Sequence, residues 1–197
     1  MRFTYHYEQA LAFAAWVHQK QVRKGSGIPY IAHLIAVSSM VIENGGNEDE
    51  AIAGLLHDTI EDQAQRFGGP AVLRTLLCDR FGKRVLEIVD ACTDSETNPK
   101  PPWRERKLAF ITRLAHHADA SVVLVVSCDK LHNARSLLED LHEMGNRLWD
   151  RFNGGRDGSL WYYRSVEKAL RSARAPLKVL NELDRVVSEL EQLANRS

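Results

Sequence analysis

The run His57–Asp62 restricts the fold more than any other part of the chain, because its ionisable side chains directly follow an apolar, helix-forming segment. On a helix His57 and Glu61 would share one face, since they are four residues apart. Asp58 and Asp62 would share the neighbouring face for the same reason. Carboxylates this close together repel each other unless a cation or protons neutralise them. We therefore expect the rest of the chain to bring neutralising groups to this run.

Length and composition predict one cytoplasmic domain. The 197 residues, 44% of them hydrophobic, suffice to bury one core, so we expect a single domain over residues 1–197. The net charge of zero, from 26 basic and 26 acidic residues, argues against a nucleic-acid partner. No run approaches the ~18 apolar residues of a membrane helix, and the N-terminus lacks a signal peptide. Three widely spaced cysteines fit a reducing compartment, and the oligomeric state stays open, with a homo-oligomer allowed.

Hydrophobic periodicity predicts an all-α bundle of about 8–10 helices without a significant sheet. Asn47 and Glu50 form a capping box that opens the helix leading to His57. The β-branched run 121–128 favours a strand locally, yet no other segment has period two to pair with it, so we expect one buried helix over 120–141. The other expected helices cover residues 7–20, 31–43, 71–80, 83–92 and 103–116, with further ones from Leu160 and Pro176. Loops are expected at 21–30, 93–102 and 153–159, and C-terminal helices within 159–195 would pack on a core of about 7–142.

Histidine and aspartate side chains on separate helices predict a metal site. Imidazole and carboxylate groups are ligands of divalent ions that perform hydrolysis. Four residues are candidates for one ion: His33, His57, Asp58 and Asp129. Alone, His33 could equally be a core histidine, and Asp129 could pair with Lys130 or Arg135. The adjacent His57-Asp58 pair makes a joint metal site the better interpretation.

A basic loop and a C-terminal aromatic segment could contact an anionic ligand. Arg23 and Lys24 adjoin glycines with accessible backbone amides, which suits phosphate binding, although a solvated basic turn has the same composition. Trp161 and Tyr163 could stack on a purine or could only pack the last helices together. Arg164 could reach a phosphate. Which nucleobase such a ligand would carry is the least determined part of the predicted binding site.

Four blocks of the sequence together resemble a known family. They are Arg23–His33, Leu55–Asp62, Phe81-Gly82 and Asp129–Asn133, and their order and spacing agree with the family from residue 10 to about 140. The chain resembles the histidine–aspartate (HD) metal-dependent phosphohydrolases. Within them it is most similar to the hydrolase domains of RelA/SpoT homologues and to the small alarmone hydrolases. The resemblance implies an HD-domain helical bundle.

The resemblance also implies an activity and a set of roles. Such enzymes use Mn²⁺ to remove pyrophosphate from the 3′-diphosphate of guanosine tetra- or pentaphosphate, the alarmone of the stringent response. On this chain it implies metal ligands at His33, His57, Asp58 and Asp129, an acid/base pair at Glu61 and Asp62, phosphate contacts at Arg23 and Lys24, and sugar contacts at Asn133 and Ser136. A carboxylate one turn from a metal ligand can orient a water molecule or take its proton.

Some positions depart from the family pattern. Leu34, Gln63 and Cys128 stand where proline, threonine and alanine are common, and none of them is an expected ligand. The segment Cys92–Ser95 lacks the Thr-Lys-Leu pattern of the long enzymes, which leaves the substrate open. Two alternatives follow: the same chemistry on an adenosine analogue or on the 2′-phosphate of NADPH, and a nucleotide sensor without turnover. The retained acid pair argues against a sensor, which has no need of it.

Overall fold

The computed structural model describes residues 3–94 and 99–196, and the regular structure of this part is helical. In chain order the α-helices are α1 (Tyr5–Val17), α2 (Ile31–Glu43), α3 (Glu48–Leu56), α4 (Thr59–Gln63), α5 (Pro70–Cys92), α6 (Trp103–His117), α7 (Ala120–Met144), α8 (Gly155–Ser172) and α9 (Leu177–Arg196). Two 3₁₀ helices, Ala64–Phe67 and Gly145–Arg151, follow α4 and α7. An isolated bridge between Val22 and Pro29 is the one β contact of the described residues, so the expected all-α fold is confirmed.

Helix α3 is capped as expected and lies unusually close to α2. The Asn47 side chain accepts a hydrogen bond from the Glu50 backbone N–H, and the Glu50 side chain accepts one from the Asn47 N–H. Residues 51–56 are all buried. A Cβ atom added at Gly54 would lie 3.0 Å from the Cα atom of Ser38, so the glycine permits this close approach of the two helices. The approach brings the end of α3 near the first turn of α2.

The acidic run does not continue α3 as one helix. α3 ends at Leu56 and α4 begins at Thr59, which corrects the expectation of a single helix through this region. Asp58 has φ −95° and ψ 0°, which depart from regular α-helical values. The Asp62 N–H still donates to the Asp58 carbonyl at 3.0 Å. The two adjacent ligand candidates therefore leave the backbone from a turn between two helices.

Two long helices follow the sequence expectations. α5 bends at Gly82, whose φ of +85° is not helical, so the expected division at Phe81-Gly82 is present. Residues 121–129 of α7 are all buried, and the helix expected over 120–141 is confirmed. Its β-branched residues pack on several neighbouring helices, so burial outweighs their preference for strands. The acid at position 129 thus lies inside the bundle.

Helix α8 begins earlier than the composition predicts. It starts at Gly155, whereas a loop is expected over 153–159. A Cβ atom at Gly154 or Gly158 would lie 2.7 or 3.3 Å from the Trp103 ring, so these glycines allow α8 to approach α6 closely. This packing offsets the poor helix propensity of glycine, and local composition does not reveal it.

Helix α7 lies at the centre of the bundle, where it contacts α2, α3, α5, α8 and α9. The C-terminal helices α8 and α9 pack on each other and on α7. Residues 93, 94 and 99–102 of the expected loop are not helical, and residues 95–98 lie outside the described residues. None of the helices in the described ranges is long and apolar enough to cross a membrane.

Candidate functional site

The four candidate metal ligands converge although they come from three separate parts of the fold. His33 lies in the first turn of α2, Asp129 lies in α7, and His57 and Asp58 form the turn between α3 and α4. His33 Nε2 is 3.6 Å from Asp58 Oδ2 and 3.3 Å from Asp129 Oδ1. His57 Nε2 is 3.0 and 3.5 Å from the same two oxygens. We call these four side chains the ligand cluster.

Both histidine rings present a lone pair to the ligand cluster. The Gly54 carbonyl can only accept, so His57 Nδ1, at 2.9 Å from that oxygen, carries the ring proton. We assign the proton of His33 to Nδ1 as well, since that atom lies 2.9 Å from His132 Nδ1. Both Nε2 atoms are buried without a hydrogen-bond partner among the described residues. His33, His57 and Asp58 lie close enough together to hold one metal ion. With Asp129 Oδ1 beside both rings, this set of nitrogen and oxygen donors fits a divalent cation.

The charges within the ligand cluster depend on one another. Lys130 Nζ donates to Asp129 Oδ2 at 2.6 Å, so the Lys130 pairing that the sequence left open is present, whereas Arg135 pairs with an acid of α9. Burial raises the pKa of Asp129, but Lys130 and the histidines outweigh it and hold that pKa well below its usual range. Burial lowers the pKa of His57, but Asp58 and Asp129 outweigh it and hold that pKa well above its usual range. A proton and a cation therefore compete for the same place.

Further side chains orient the carboxylates of the ligand cluster. The Tyr30 hydroxyl donates to Asp58 Oδ2 at 2.6 Å, a role that the sequence did not reveal. Its position three residues before His33 is the signal that could have indicated it. Asn133 Nδ2 donates to Asp129 Oδ1 at 2.5 Å from one turn further along α7. Such contacts fix the direction in which a ligand atom points.

A cavity of about 620 Å³ adjoins the ligand cluster, and His33 forms part of its wall. Four of the expected substrate contacts line it: Arg23, Lys24, Asn133 and Ser136. Arg23 Nη1 donates to Asn133 Oδ1 at 2.8 Å, which connects the basic loop to Asp129 through one amide. The remaining wall includes the aromatic rings of Phe152 and Tyr163.

Asp62, one of the two expected acid/base residues, also lines the cavity. Its Oδ2 accepts a hydrogen bond from Gln21 Nε2 at 2.7 Å. Asp62 is an exposed residue, yet the loss of surrounding water within the cavity wall, followed by the charge of Asp58, raises the pKa of its carboxyl group to about 7. A carboxyl group with this pKa can both take and give a proton near neutral pH.

Glu61, the other expected acid, contacts the loop that follows α5. Its Oε1 lies 3.0 Å from Lys100 Nζ, and its Oε2 accepts the Asp94 N–H at 3.3 Å. The Asp94 carboxylate is held in turn by Arg106 and Lys107 of α6, at 2.7 and 2.5 Å. Both oxygens of Glu61 therefore have partners, which distinguishes it from Asp62.

The structure does not bring Trp161 and Arg164 to the cavity wall. The Trp161 ring lies 6.2 Å from the Trp103 ring, and the Arg104 guanidinium lies 4.0 Å above it. Arg164 pairs with Asp184 of α9 at 2.6 Å. For Trp161 these contacts match the packing alternative that the sequence left open, and for Arg164 they match a structural ion pair.

The chain belongs to the HD-domain family, whose sequence model matches residues 10–159. This confirms the family that the motifs indicated. The chain is 37% identical to the guanosine-3′,5′-bis(diphosphate) 3′-pyrophosphohydrolase MESH1 of Xenopus tropicalis. The alignment spans 132 residues and covers 66% of this chain and 68% of that protein. The protein of the same name from Homo sapiens is 36% identical over an equal span. The fold matches a solved structure of a metazoan ortholog of SpoT, described as hydrolysing ppGpp, with a TM-score of 0.78, 24% identity, and coverage of 96% of this chain and 97% of that one.

Proposed function

We propose that the chain hydrolyses the 3′-diphosphate of guanosine tetra- and pentaphosphate, giving GDP or GTP and pyrophosphate. The observation that carries the proposal is a shared location: the ligand cluster adjoins the cavity into which Arg23 and Lys24 also project. A divalent cation and two basic side chains together match the charge of a diphosphate. The name carried by the relatives at 36–37% identity supports this substrate.

Mn²⁺ is the ion that we propose for the ligand cluster. His33, His57, Asp58 and Asp129 would hold it. The two buried Nε2 atoms without partners support this role, because a lone pair left unpaired in the interior is costly. When bound, the ion supplies polarisation of a phosphoryl oxygen and lowers the pKa of a water molecule.

We propose that Asp62 moves the proton during hydrolysis. Water adds to the phosphorus atom attached to O3′, and Asp62 takes the proton that this water loses. The bond between that phosphorus and O3′ then breaks, and the same carboxyl group returns the proton to O3′. A pKa of about 7 suits both transfers. Glu61 completes the pair, because its negative charge helps to keep the pKa of Asp62 raised and its carboxylate retains Lys100 beside the acids.

The basic loop and α7 would hold the two ends of the substrate. Arg23 and Lys24 would bind the diphosphate and offset the charge of the departing pyrophosphate. Asn133 orients Arg23 through their 2.8 Å hydrogen bond. Asn133 and Ser136 would contact the sugar, since both line the cavity on the α7 side. Trp161 and Arg164 have no part in this proposal.

Two acids in the cavity wall favour guanine over adenine. Glu139 and Asp140 line the cavity about three turns along α7 from Asp129, and Asp140 Oδ2 also lies 3.8 Å from Arg151 Nη1. A carboxylate repels phosphate, but it accepts hydrogen bonds from the N1–H and N2–H₂ groups of guanine. Adenine has an acceptor at N1 and no amino group at C2. Phe152 and Tyr163 offer aromatic surfaces on which the base can stack.

A product screen tests the proposed function. The purified chain is incubated with guanosine tetraphosphate, its adenosine analogue or NADPH, each with Mn²⁺, Mg²⁺ or Zn²⁺. We expect GDP and pyrophosphate from guanosine tetraphosphate with Mn²⁺. The double variant Glu61→Gln with Asp62→Asn should bind Mn²⁺ without turnover, whereas Glu8→Gln with Asp79→Asn, which changes two exposed acids outside the cavity, should retain turnover.

Each other outcome of the screen selects an alternative. Phosphate release from NADPH alone, or pyrophosphate release from the adenosine analogue alone, would replace the proposed substrate. Nucleotide binding with Mn²⁺ bound and no product would support a sensor. A cytoplasmic location, a part in the stringent response, a homo-oligomeric state and the lack of a nucleic-acid partner remain predictions.

A further inference from the structure

A chain of hydrogen bonds runs from the end of α1 to the acid that lines the cavity. His18 directly follows α1, is buried, and has Nδ1 2.6 Å from Gln21 Oε1. Gln21 Nε2 donates to Asp62 Oδ2 at 2.7 Å. Gln63 Nε2 donates to the same Gln21 oxygen at 2.5 Å. His18 Nε2 lies 3.3 Å from the buried Thr59 hydroxyl. Neither His18 nor Gln21 has a role in the proposed function.

When Asp62 is ionised, the donors and acceptors of these hydrogen bonds fit one orientation of the Gln21 amide and a neutral His18 ring. An ionised Asp62 can only accept, so the nitrogen end of the Gln21 amide faces it. The oxygen end of that amide must then accept from its two other neighbours. His18 therefore carries its proton on Nδ1, and its Nε2 accepts from the Thr59 hydroxyl. Burial lowers the pKa of His18, which favours this neutral ring.

We propose that Gln21 is a positioning residue for Asp62, and that His18 sets the direction of the Gln21 amide by donating Nδ1–H to its oxygen. Gln21 holds Oδ2 of Asp62, and no hydrogen bond of the described residues reaches Oδ1. One carboxylate oxygen is thus fixed while the other is available at the cavity wall. The role of Asp62 as proton carrier rests on the proposed function, but the positioning of Asp62 by Gln21 does not.

The hydrogen bond should also act on the proton affinity of Asp62. A bond to the ionised form favours that form, so the Gln21 amide lowers the pKa that the surroundings raise. The charged and titratable groups that face Asp62 are Asp58 and Glu61 on its own segment, Lys100 on the loop after α5, and Tyr30 before α2. Loss of the amide leaves those groups unchanged. The effect of Gln21 can therefore be separated from theirs.

A carboxyl titration tests the inference without turnover. The chain is labelled with ¹³C at aspartate carboxyls and loaded with Mg²⁺, and the Asp62 signal is assigned by its loss in Asp62→Asn. In Gln21→Met, which keeps the length of the side chain and removes the donor, we expect the pKa of Asp62 to rise by about one unit. Gln19→Met, at an exposed glutamine nearby, should leave it unchanged. Equal Asp62 titrations in Gln21→Met and the wild type would overturn the inference.

Kinetics with Mn²⁺ and guanosine tetraphosphate give a second readout. The pH at which kcat is half-maximal on the limb set by Asp62 should rise by about one unit in Gln21→Met, with KM changed less than about twofold. His18→Leu should shift this pH in the same direction. His18→Asn, which keeps an N–H donor, should return it to the wild-type value. A raised KM with an unchanged pH profile would assign Gln21 to substrate binding instead. If the wild type turns over no nucleotide, the proposed function fails while the carboxyl titration still decides the positioning.

Discussion

His33 and His57 present the same ring nitrogen to the ligand cluster because the other nitrogen of each ring is already hydrogen-bonded. The carbonyl of Gly54 holds His57, and the ring of His132 holds His33. Asp58 is oriented in the same way by Tyr30. Each candidate ligand atom is thus oriented by a neighbour that would not itself touch a bound ion, and such neighbours control metal affinity.

Removal of the Tyr30 hydroxyl should weaken metal binding. Tyr30→Phe keeps the ring but removes the 2.6 Å hydrogen bond to Asp58 Oδ2, so the carboxylate loses its fixed direction. We expect the Mn²⁺ dissociation constant to rise about tenfold or more, measured by electron paramagnetic resonance of free Mn²⁺. Tyr5→Phe is the control, because Tyr5 is 69% exposed. Equal affinities in the two variants would contradict this role for Tyr30.

Asp62 should make the metal-free protein less stable as the pH rises. Its pKa is about 7 in the fold against a reference value of 3.8, so the fold holds a proton that the unfolded chain releases. Stability from this proton is present below about pH 4 and is lost as the pH rises to about 7. The variant Asp62→Asn has no carboxyl group at this position and so does not lose this stability. The difference in free energy of unfolding between the variant and the wild type should therefore increase in favour of the variant from about pH 4.5 to 7.5, as measured by urea denaturation in EDTA. A constant difference between the two proteins would refute the raised pKa.

Trp161 and Arg164 of α8 contact neighbouring helices, whereas Tyr163 of the same helix lines the cavity. Arg164 of α8 pairs with Asp184 and Glu191 of α9 at 2.6 and 2.7 Å, and its side chain is 24% exposed. Trp161 packs on α6 through Trp103. Helical periodicity reveals that these residues lie in a helix, but a sequence does not say which face meets α9 and which meets the cavity.

Loss of the Arg164 guanidinium should therefore affect stability and not turnover. Arg164→Met removes the ion pairs between α8 and α9, and we expect the free energy of unfolding to fall by about 1–3 kcal/mol in denaturant titration. The value of kcat/KM for guanosine tetraphosphate should stay within about twofold of the wild type. Arg23→Met, at the cavity, should show the opposite result, with KM raised and stability nearly unchanged. A large loss of kcat/KM in Arg164→Met at unchanged stability would restore Arg164 as a substrate contact.

The bundle as a whole joins three helices at the ligand cluster. α2 supplies His33, the end of α3 leads to His57 and Asp58, and α7 supplies Asp129. The close approach of α3 to α2 at Gly54 and the central position of α7 bring them within reach of one ion. A cation bound only by the folded chain must therefore add to its stability.

Metal removal should lower the melting temperature. At a free ion concentration one hundred times the dissociation constant, binding raises the free energy of unfolding by about 2.7 kcal/mol over that of the metal-free protein. For a domain of this size, removal of the ion with EDTA should then lower the melting temperature by roughly 5–10 °C in a thermal scan. His57→Ala should abolish this response, whereas His116→Ala, at an exposed position, should keep it. An unchanged EDTA response in His57→Ala would exclude this residue as a ligand.

The sequence by itself determined the helices and the candidate ligands, because both depend on short-range patterns. Apolar spacing indicated α7, the Asn47–Glu50 box indicated α3, and the motifs indicated the ligand cluster and the family. Tertiary structure alone decided the early start of α8, the break between α3 and α4, and the locations of Trp161 and Arg164. It also decided the partners of the ligands and acids: Tyr30 and Asp58 are 28 residues apart, and Gln21 and Asp62 are 41 apart. A hydrogen bond over such a separation exists only once the helices have packed, since no local rule sets its direction or its length.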